Sequence, residues 1–349
     1  MGIKGNFLKF LKELNPQICT VRSISDYKNK IIAIDMSIYI NRFKASFHED
    51  WKKRLMSFAA MLYLNDLKPI IIFDGGSPPE KDEEKKLRRK NKEQLCEKIN
   101  KLTSDLEEYK KTNHISPLLR NHGKLEESFE APIDLSLTEE NTSTFNVSIV
   151  ENYLRKIKQN YFEIFPEDFA TTREMFDIFG FPCITAPMEA ETLCGILCKK
   201  GLVDAVMTDD TDIFVYGCPI TLRKLDFKTE TVDEIKYSDI LDAMKFTSHQ
   251  FLDFCIMCGV DYNKNINGIS TKKSYDYITK YKNIDHIPIL DTTILNHIKC
   301  RELFQDTDIS NILIPPRRNM DMCRLKTFVS SERIKFDITK LNEFHSTIF

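Results

Sequence analysis

The chain has 349 residues, 42% hydrophobic and 29% charged, with a formal net charge of −2. That is the composition of an ordinary soluble globular protein, large enough for one big domain or two average ones. No apolar run approaches the ~18 residues of a membrane-spanning helix, and charges scattered through "MGIKGNFLKFLKELNPQ" argue against a secretion signal. The Met-Gly start carries Asn6 where a myristoylation signal needs Ser or Thr. Ten cysteines without a secretion signal indicate free thiols in a reducing compartment.

"KIIAIDMSIYI" (30–40) begins as a β-branched run and meets an acid, the look of a strand buried on both faces in a parallel sheet. "KPIIIFDGG" (68–76) repeats the pattern, and "RLMSFAAMLYLN" between them reads as a helix, so a parallel crossover is expected. From Glu80 to Lys111, Leu95, Ile99, Leu102, Leu106 and Tyr109 recur at spacings of four and three, which predicts a long amphipathic helix with one narrow apolar stripe. Residues 112–148, rich in Ser, Thr and Asn, read as a long loop, and "VENYLRKIKQNYFEIF" as a helix. After Pro166 come a helix ending near Gly180, a strand "FPCIT", a helix over 188–200 stopped by Gly201, the strand "VDAVMT" and then "PITLRKL". Helices over 248–258 and 271–281 flank "GVDYNKNINGIS", and the tail reads as helical. Cys255 and Cys258 sit in the apolar run "FLDFCIMCG" with no second Cys or His pair at finger-like spacing, so they read as small buried hydrophobes, as do Cys194 and Cys198.

Ligands in open α/β sheets gather beyond the carboxyl ends of the strands. Asp35, Asp74, Asp210 and Asp212 lie at such ends, Glu189 and Glu191 open a helix after a strand, and Asp261 sits in a Gly-rich turn. One Asp after a strand is usually a turn residue or a helix cap. Seven in one α/β pattern point to a shared rim, where mutual repulsion would be relieved by hard divalent cations that prefer oxygen ligands. In "DDTD" the assignment is ambiguous. Asp210 and Asp212 are chosen because an i, i+2 pair leaving a strand can aim at one face, and Asp209 is expected to face away. Setting the seven acids aside leaves the rest of the chain positive, so the acidic total does not argue against a nucleic-acid partner.

The ordered set "MGIKG", "IAIDMS", "IIIFDG", "APMEAE", "TDDTDIFVYG" and "GVDYNKNINGI", followed by "CRELF" and "SSERIKFDITKL", resembles the flap endonuclease family of structure-specific 5′ nucleases. The divergence, the insertion and the Asn/Lys/Ile-rich composition look most like its poxvirus branch. The resemblance implies an α/β fold: a mostly parallel twisted sheet with helices on both faces, a PIN-like core. One nuclease domain over 1–349 would comprise an N-terminal region (1–80), a helical arch and insertion (81–165), an internal region (166–247), a helix–two-turn–helix (248–285) and a C-terminal helical region (286–349). It implies two Mg²⁺ ions, replaceable by Mn²⁺, held by Asp35, Asp74, Glu189, Glu191, Asp210, Asp212 and Asp261. It places DNA contacts at Gly2, Lys4, Lys81, Arg88, Arg89, Gly268, Lys272 and Lys273. Ser270 replaces the second glycine of the family's Gly-x-Gly hairpin, which puts its tight turn and its K⁺ site in doubt.

The expected activity is divalent-dependent hydrolysis of DNA at flaps, junctions or 5′ ends, in viral recombination, repair or genome maturation in the host cytoplasm. Viral replication or recombination proteins are the implied partners. The familiar sliding-clamp tail is missing from "LNEFHSTIF", and "QNYFEIF" (159–165) reads as a core-facing segment instead. Two rivals stand beside this reading. One is a nuclease-like scaffold that binds junction DNA without cutting; the other is an RNA-directed nuclease on the same fold.

Overall fold

The structure, a computed structural model, describes residues 2–123, 145–159, 161–305 and 308–348. Seven strands form one sheet: β1 (Thr20–Ser23), β2 (Ile31–Asp35), β3 (Lys68–Phe73), β4 (Cys183–Thr185), β5 (Ala205–Met207), β6 (Ile220–Asp226) and β7 (Thr231–Lys236). Their order is β1-β7-β6-β5-β2-β3-β4. The five from β6 to β4 run parallel, with Ile34 paired to Ile71 on one side and Met207 on the other. β7 and β1 are antiparallel additions at one edge. The central strands are apolar throughout because parallel neighbours are covered on both faces; Ile32, Ala33, Ile34, Ile71, Ile72, Val206 and Met207 are fully buried.

The helices are α1 (Phe7–Leu14), α2 (Met36–Phe47), α3 (Trp51–Leu64), α4 (Asp82–Thr112), α5 (Pro117–His122), α6 (Val147–Gln159), α7 (Pro166–Ile178) and α8 (Ala190–Lys199). After the sheet's edge come α9 (Tyr237–Met244), α10 (Ser248–Cys258), α11 (Thr271–Tyr281), α12 (His297–Leu303), α13 (Met322–Ser331) and α14 (Thr339–Ile348). No helix among the described residues is long and apolar enough to cross a membrane.

The chain divides into two compact units. The first comprises Met1–Phe43, Glu49–Glu84 and Ile164–Phe349 and contains the sheet. In its core Phe7 of α1 meets Phe214, Phe251 and Phe254 at ring-centroid distances of 6.1, 6.0 and 6.2 Å. The same core takes in Cys194, Cys198, Cys255 and Cys258 as buried apolar groups. The second unit, Lys44–His48 with Lys85–Glu163, has a small core of its own. There the α4 stripe Ile99, Leu102 and Leu106 packs on Leu119, Val150, Leu154 and Ile157, with Leu95 and Tyr109 at the margin. Tyr161 joins that margin, while Phe165 is half exposed.

Several boundaries differ from the sequence reading. The strand stops at Asp35 and α2 begins at Met36, because the Asp35 carboxylate accepts the Ile38 N–H (3.4 Å) in the manner of a helix cap. Two helices, α2 and α3, therefore fill the crossover. The helix expected over 150–165 is α6, ending at Gln159; Pro166 starts α7, and a residue before proline resists helical backbone. Within the loop expected over 112–148, Ser116 caps the short helix α5, its Oγ accepting from the Leu119 N–H at 3.2 Å, and α6 has begun by Val147. Residues 124–144 of that stretch lie outside the described residues. Strand β7 was not anticipated, since "TVDEIK" carries three charges in six residues; it pairs on both sides and buries Val232, Glu234 and Ile235.

Candidate metal centre

Parallel strands ending on one edge deliver their following residues to one place. Asp35 closes β2 and is 3% exposed; its Oδ2 accepts from Thr208 Oγ1 (3.0 Å), the first residue beyond β5. Asp74 follows β3, and its Oδ1 accepts the Ala190 N–H (2.7 Å) at the start of α8. That hydrogen bond satisfies an otherwise orphaned helix N–H and ties β3 to the helix carrying two more acids. Glu189 takes the N-cap position of α8 in extended backbone, and Glu191 lies in its first turn; both are buried. Asp210 receives the Asp212 N–H on its Oδ1 (3.0 Å), and its own N–H goes to Thr208 Oγ1 (3.1 Å). Asp261 stands three residues past α10, where Gly259 turns the chain at φ +94°.

Electrostatics connect all seven. Burial, then Asp74 and Asp210, push the Asp35 carboxyl up to about 8. Burial, then Asp35 and Glu189, raise Glu191 well above the ordinary range. Burial, then Asp210 and Asp261, do the same to Asp212. The centre thus holds more negative charge than its surroundings can solvate.

A buried lysine meets part of it. The Lys81 ammonium, 8% exposed, bonds Glu189 and lies 3.2 Å from Asp261 Oδ2 and 3.7 Å from Glu191 Oε1. Burial alone would pull its pKa down, yet Glu191, Glu189 and Asp261 hold it raised. Glu189 is further fixed by the Tyr262 hydroxyl, which donates to Oε2 at 2.5 Å. Tyr262 in turn pairs with the Tyr216 hydroxyl (3.3 Å), itself paired with Thr192 Oγ1 (2.8 Å).

These residues fit a divalent cation. Every candidate donor is an oxygen, the chemistry hard ions select. Asp212 Oδ1 is buried with no hydrogen-bond partner among the described residues, a costly state for a carboxylate oxygen unless something cationic meets it. Among the described residues no three acids stand as a ready-made ligand set. The Lys81 ammonium sits among three of the carboxylates. A cavity of about 680 Å³ lined by Tyr216, Arg301 and Phe304 reaches none of the seven acids.

The residues expected at DNA are distributed more widely. Gly2 turns at φ +91° directly against Asp210 and Thr211, where a β-carbon would collide with both side chains. The Lys4 N–H bonds the Gly259 carbonyl (2.8 Å), and its ammonium lies 3.8 Å from Glu84. Lys81 belongs to the acids rather than to an open basic face. Arg88 and Arg89 are exposed on α4 in the second unit, with Arg89 Nε 3.6 Å from Glu93. Gly268 turns at φ +78°, and its carbonyl accepts from Lys273 Nζ (2.9 Å). Ser270 is no failed glycine: its backbone is extended (φ −84°), and it caps α11 by accepting the Lys273 N–H (3.4 Å). Lys272 is exposed in the first turn of that helix.

Sequence reasoning missed Thr208, Tyr216 and Tyr262. The signal was adjacency: Thr208 precedes "DDTD" and Tyr262 follows Asp261. Asp209 does turn away, its carboxylate held by Arg42 Nη1 (2.8 Å).

With the geometry established, comparison with known proteins identifies its class. The XPG N-terminal domain matches residues 1–95 and the XPG I-region residues 180–261, together just over half of the chain and including all seven acids. The chain belongs to the XPG/flap endonuclease family. It is accordingly a nuclease, a phosphodiester hydrolase, and nucleases of this fold are in general dependent on divalent metal. The probable RAD2-like endonuclease 369L of Invertebrate iridescent virus 6 is 29% identical, over 89% of this chain and 81% of that protein. Flap endonuclease 1 of Cryptosporidium muris is 28% identical, over 88% of this chain and 63% of that protein. The fold is shared with the catalytic core of Rad2 in complex with DNA substrate, at TM-score 0.66 and 16% identity, covering 99% of this chain and 100% of that one. It is shared also with flap endonuclease-1 from Methanococcus jannaschii, at TM-score 0.60 and 18% identity over 95% of each chain. Three RAD2-like relatives come from iridoviruses and give no support to the expected tie to the poxvirus branch.

Proposed function

We propose that this chain is a structure-specific 5′ nuclease cutting DNA at flaps, junctions or ends. Asp35, Asp74, Glu189, Glu191, Asp210, Asp212 and Asp261 would hold two divalent cations, Mg²⁺ by preference and Mn²⁺ as a substitute. The observation that carries this is the buried, unpartnered Asp212 Oδ1 among acids of raised pKa, with one lysine in their midst. Bound there, divalent ions supply Lewis acidity to the scissile phosphate and lower the pKa of the attacking water.

The chain's own groups do the remaining work. Thr208 orients Asp35, Tyr262 orients Glu189, and the Ala190 N–H orients Asp74. Lys81, once its carboxylate partners are otherwise neutralised, is free to meet the charge developing on the phosphate. Lys272 and Lys273 open α11, where free helix N–H groups and ammonium groups suit backbone phosphates. Gly2 and Lys4 on the N-terminal segment, and Arg88 and Arg89 on α4, are proposed as further phosphate contacts. The viral relatives support a role in viral DNA recombination, repair or genome maturation inside the host cell.

The test is cleavage of a labelled 5′-flap duplex with Mg²⁺ or Mn²⁺, beside an Asp210→Ala/Asp212→Ala variant. Divalent-dependent cutting that the variant loses supports the assignment. Equal cutting by both overturns the ligand set. Binding without cutting by the unaltered chain overturns the activity in favour of a junction-binding scaffold, and preferential cutting of an RNA strand moves the substrate to RNA.

A further inference from the structure

The seven acids account for the front of the centre. Behind them, two arginines and an aspartate that belong to none of its roles converge on one turn. β5 ends at Met207 and a 3-10 turn starts at Asp212; the Thr208 N–H still bonds the Leu222 carbonyl of β6 (3.1 Å), and residues 209–211 follow outside the strand. Asp209 anchors them. Its Oδ2 accepts from Arg42 Nη1 at 2.8 Å and its Oδ1 from the Lys224 N–H at 2.8 Å. Its backbone carbonyl accepts from Arg223 Nη2 at 2.5 Å. The other amine of the Arg42 fork donates to the Leu225 carbonyl at 3.3 Å, tying α2 to β6 across the same point.

This grip is made at visible cost. Lys224 sits at φ +49°, where the register of β6 against β7 is broken between Arg223 and Asp226. A left-handed lysine at a bulge is strained backbone, and it delivers an N–H to the Asp209 carboxylate. Arg223 is 6% exposed, and its Nε and Nη1 have no hydrogen-bond partner among the described residues. A buried guanidinium with idle donors is expensive. Two such costs meet at a single residue whose next neighbour but two is Asp212 and whose next neighbour is Asp210. From that anchor the Thr208 hydroxyl receives the Asp210 N–H, and Asp210 receives the Asp212 N–H.

We propose that Arg42 and Arg223 are positioning residues: gripping Asp209 at its carboxylate and its carbonyl, they fix the 208–212 turn with Asp210 and Asp212 facing the centre, and so set its affinity for divalent cations. Neither touches the reacting atoms. The inference rests on the reading of the seven acids as cation-holding.

The experiment measures Mn²⁺ binding to the full chain, by the electron-paramagnetic signal of free Mn²⁺, with no DNA present. Arg42→Ala, Asp209→Ala, their double variant and Arg223→Gln are compared with the unaltered protein. Outer partners of metal ligands typically set affinity by about ten- to a hundredfold, so each single variant should raise the Mn²⁺ dissociation constant about tenfold or more. The double variant should be no weaker than the worse single one, because one grip is lost only once. Cleavage at saturating Mn²⁺ should largely recover, with the KM for DNA unchanged. Asp253→Asn, which loosens the pair between Asp253 of α10 and Arg301 of α12 (2.7 Å), serves as a destabilised control and should bind Mn²⁺ normally. Arg42→Lys keeps the charge but loses the fork; it covers the case of an alanine variant that does not fold, and should show a smaller rise. Dissociation constants within twofold of the parent in the folded variants overturn the proposal, as does additivity in the double variant or equal weakening by Asp253→Asn. The underlying reading fails by a different result: an Asp210→Ala/Asp212→Ala variant that binds Mn²⁺ as the parent does.

Discussion

Lys81 shows how much one side chain can decide. Resemblance to the flap endonuclease family marks it as a DNA contact beside Arg88 and Arg89, but nothing in "PPEKDEEKK" itself distinguishes it from Lys85 or Lys86. What sets it apart is three-dimensional: a short 3-10 turn over Pro79–Lys81 brings its side chain beside Tyr262, with the ammonium 5.9 Å from the ring centroid, and into three acids. A cation so placed competes with any ion for the same carboxylates. Lys81→Ala should therefore lower the Mg²⁺ concentration needed for half-maximal cleavage while cutting the maximal rate on the order of a hundredfold, the usual loss when a group aimed at transition-state charge is removed. A Mg²⁺ titration of single-turnover cleavage reads both. A rise in the half-activating concentration would sink the idea of a competing cation.

At the scale of elements, the parallel strands were legible because their runs are apolar without interruption, as "IIAI" and "IIIF" are. The acids were legible because an Asp directly after such a run marks a strand end, so Asp35 and Asp74 came from position alone, whereas Asp210 and Asp212 had to be told from Asp209 by their i, i+2 spacing. The elements that stayed hidden are those whose burial depends on partners distant in the chain. β7 reads as charged until Glu234 is seen to receive the Tyr27 hydroxyl at 2.5 Å, some two hundred residues away in sequence. The brace between α10 and α12 is of the same kind. Asp253, 3% exposed inside an apolar helix, accepts Arg301 Nε and Nη2 at 2.7 Å each and the Ile284 N–H at 3.0 Å. Removing either partner is not equivalent. Arg301 is partly exposed and keeps Asp285 (2.8 Å), whereas Asp253 would be left buried without its cation. Arg301→Ala should cost about 3–5 kcal/mol of unfolding free energy, and Asp253→Ala less. Urea titrations of both variants decide it; the reverse order would show that the carboxylate reaches solvent.

For the molecule as a whole, the acids that make the centre also oppose the fold. Asp35 is raised to about 8 from an ordinary value near 4, and Glu191 and Asp212 are raised too. Between those values the folded chain binds more protons than the unfolded one, so stability falls as pH rises. The contribution is intact below about pH 4 and is lost by the time pH has passed about 8. On the proposed reading, divalent ions held there would replace those protons and would bind the folded chain alone. The melting temperature in EDTA should therefore fall from pH 6 to pH 8, and the rise produced by Mg²⁺ should be larger at pH 8. A melting temperature flat across that range, or an equal Mg²⁺ effect at both ends, would show that the acids carry no such strain. The second unit, with its own small core of Ile99, Leu102, Leu106, Leu119, Val150, Leu154 and Ile157, contributes none of the seven acids.

The seven acids are also spread through time. A ribosome makes Asp35 early and Asp261 late, and at ~5–20 residues per second the interval is roughly ten seconds to most of a minute. Until Gly259 has turned the chain and Asp261 has followed it, Lys81 lacks one of its three partners and β6 has only just supplied the arginine behind Asp209. The charge cluster is thus a late product of synthesis: no stretch of chain made before Asp261 carries all seven acids.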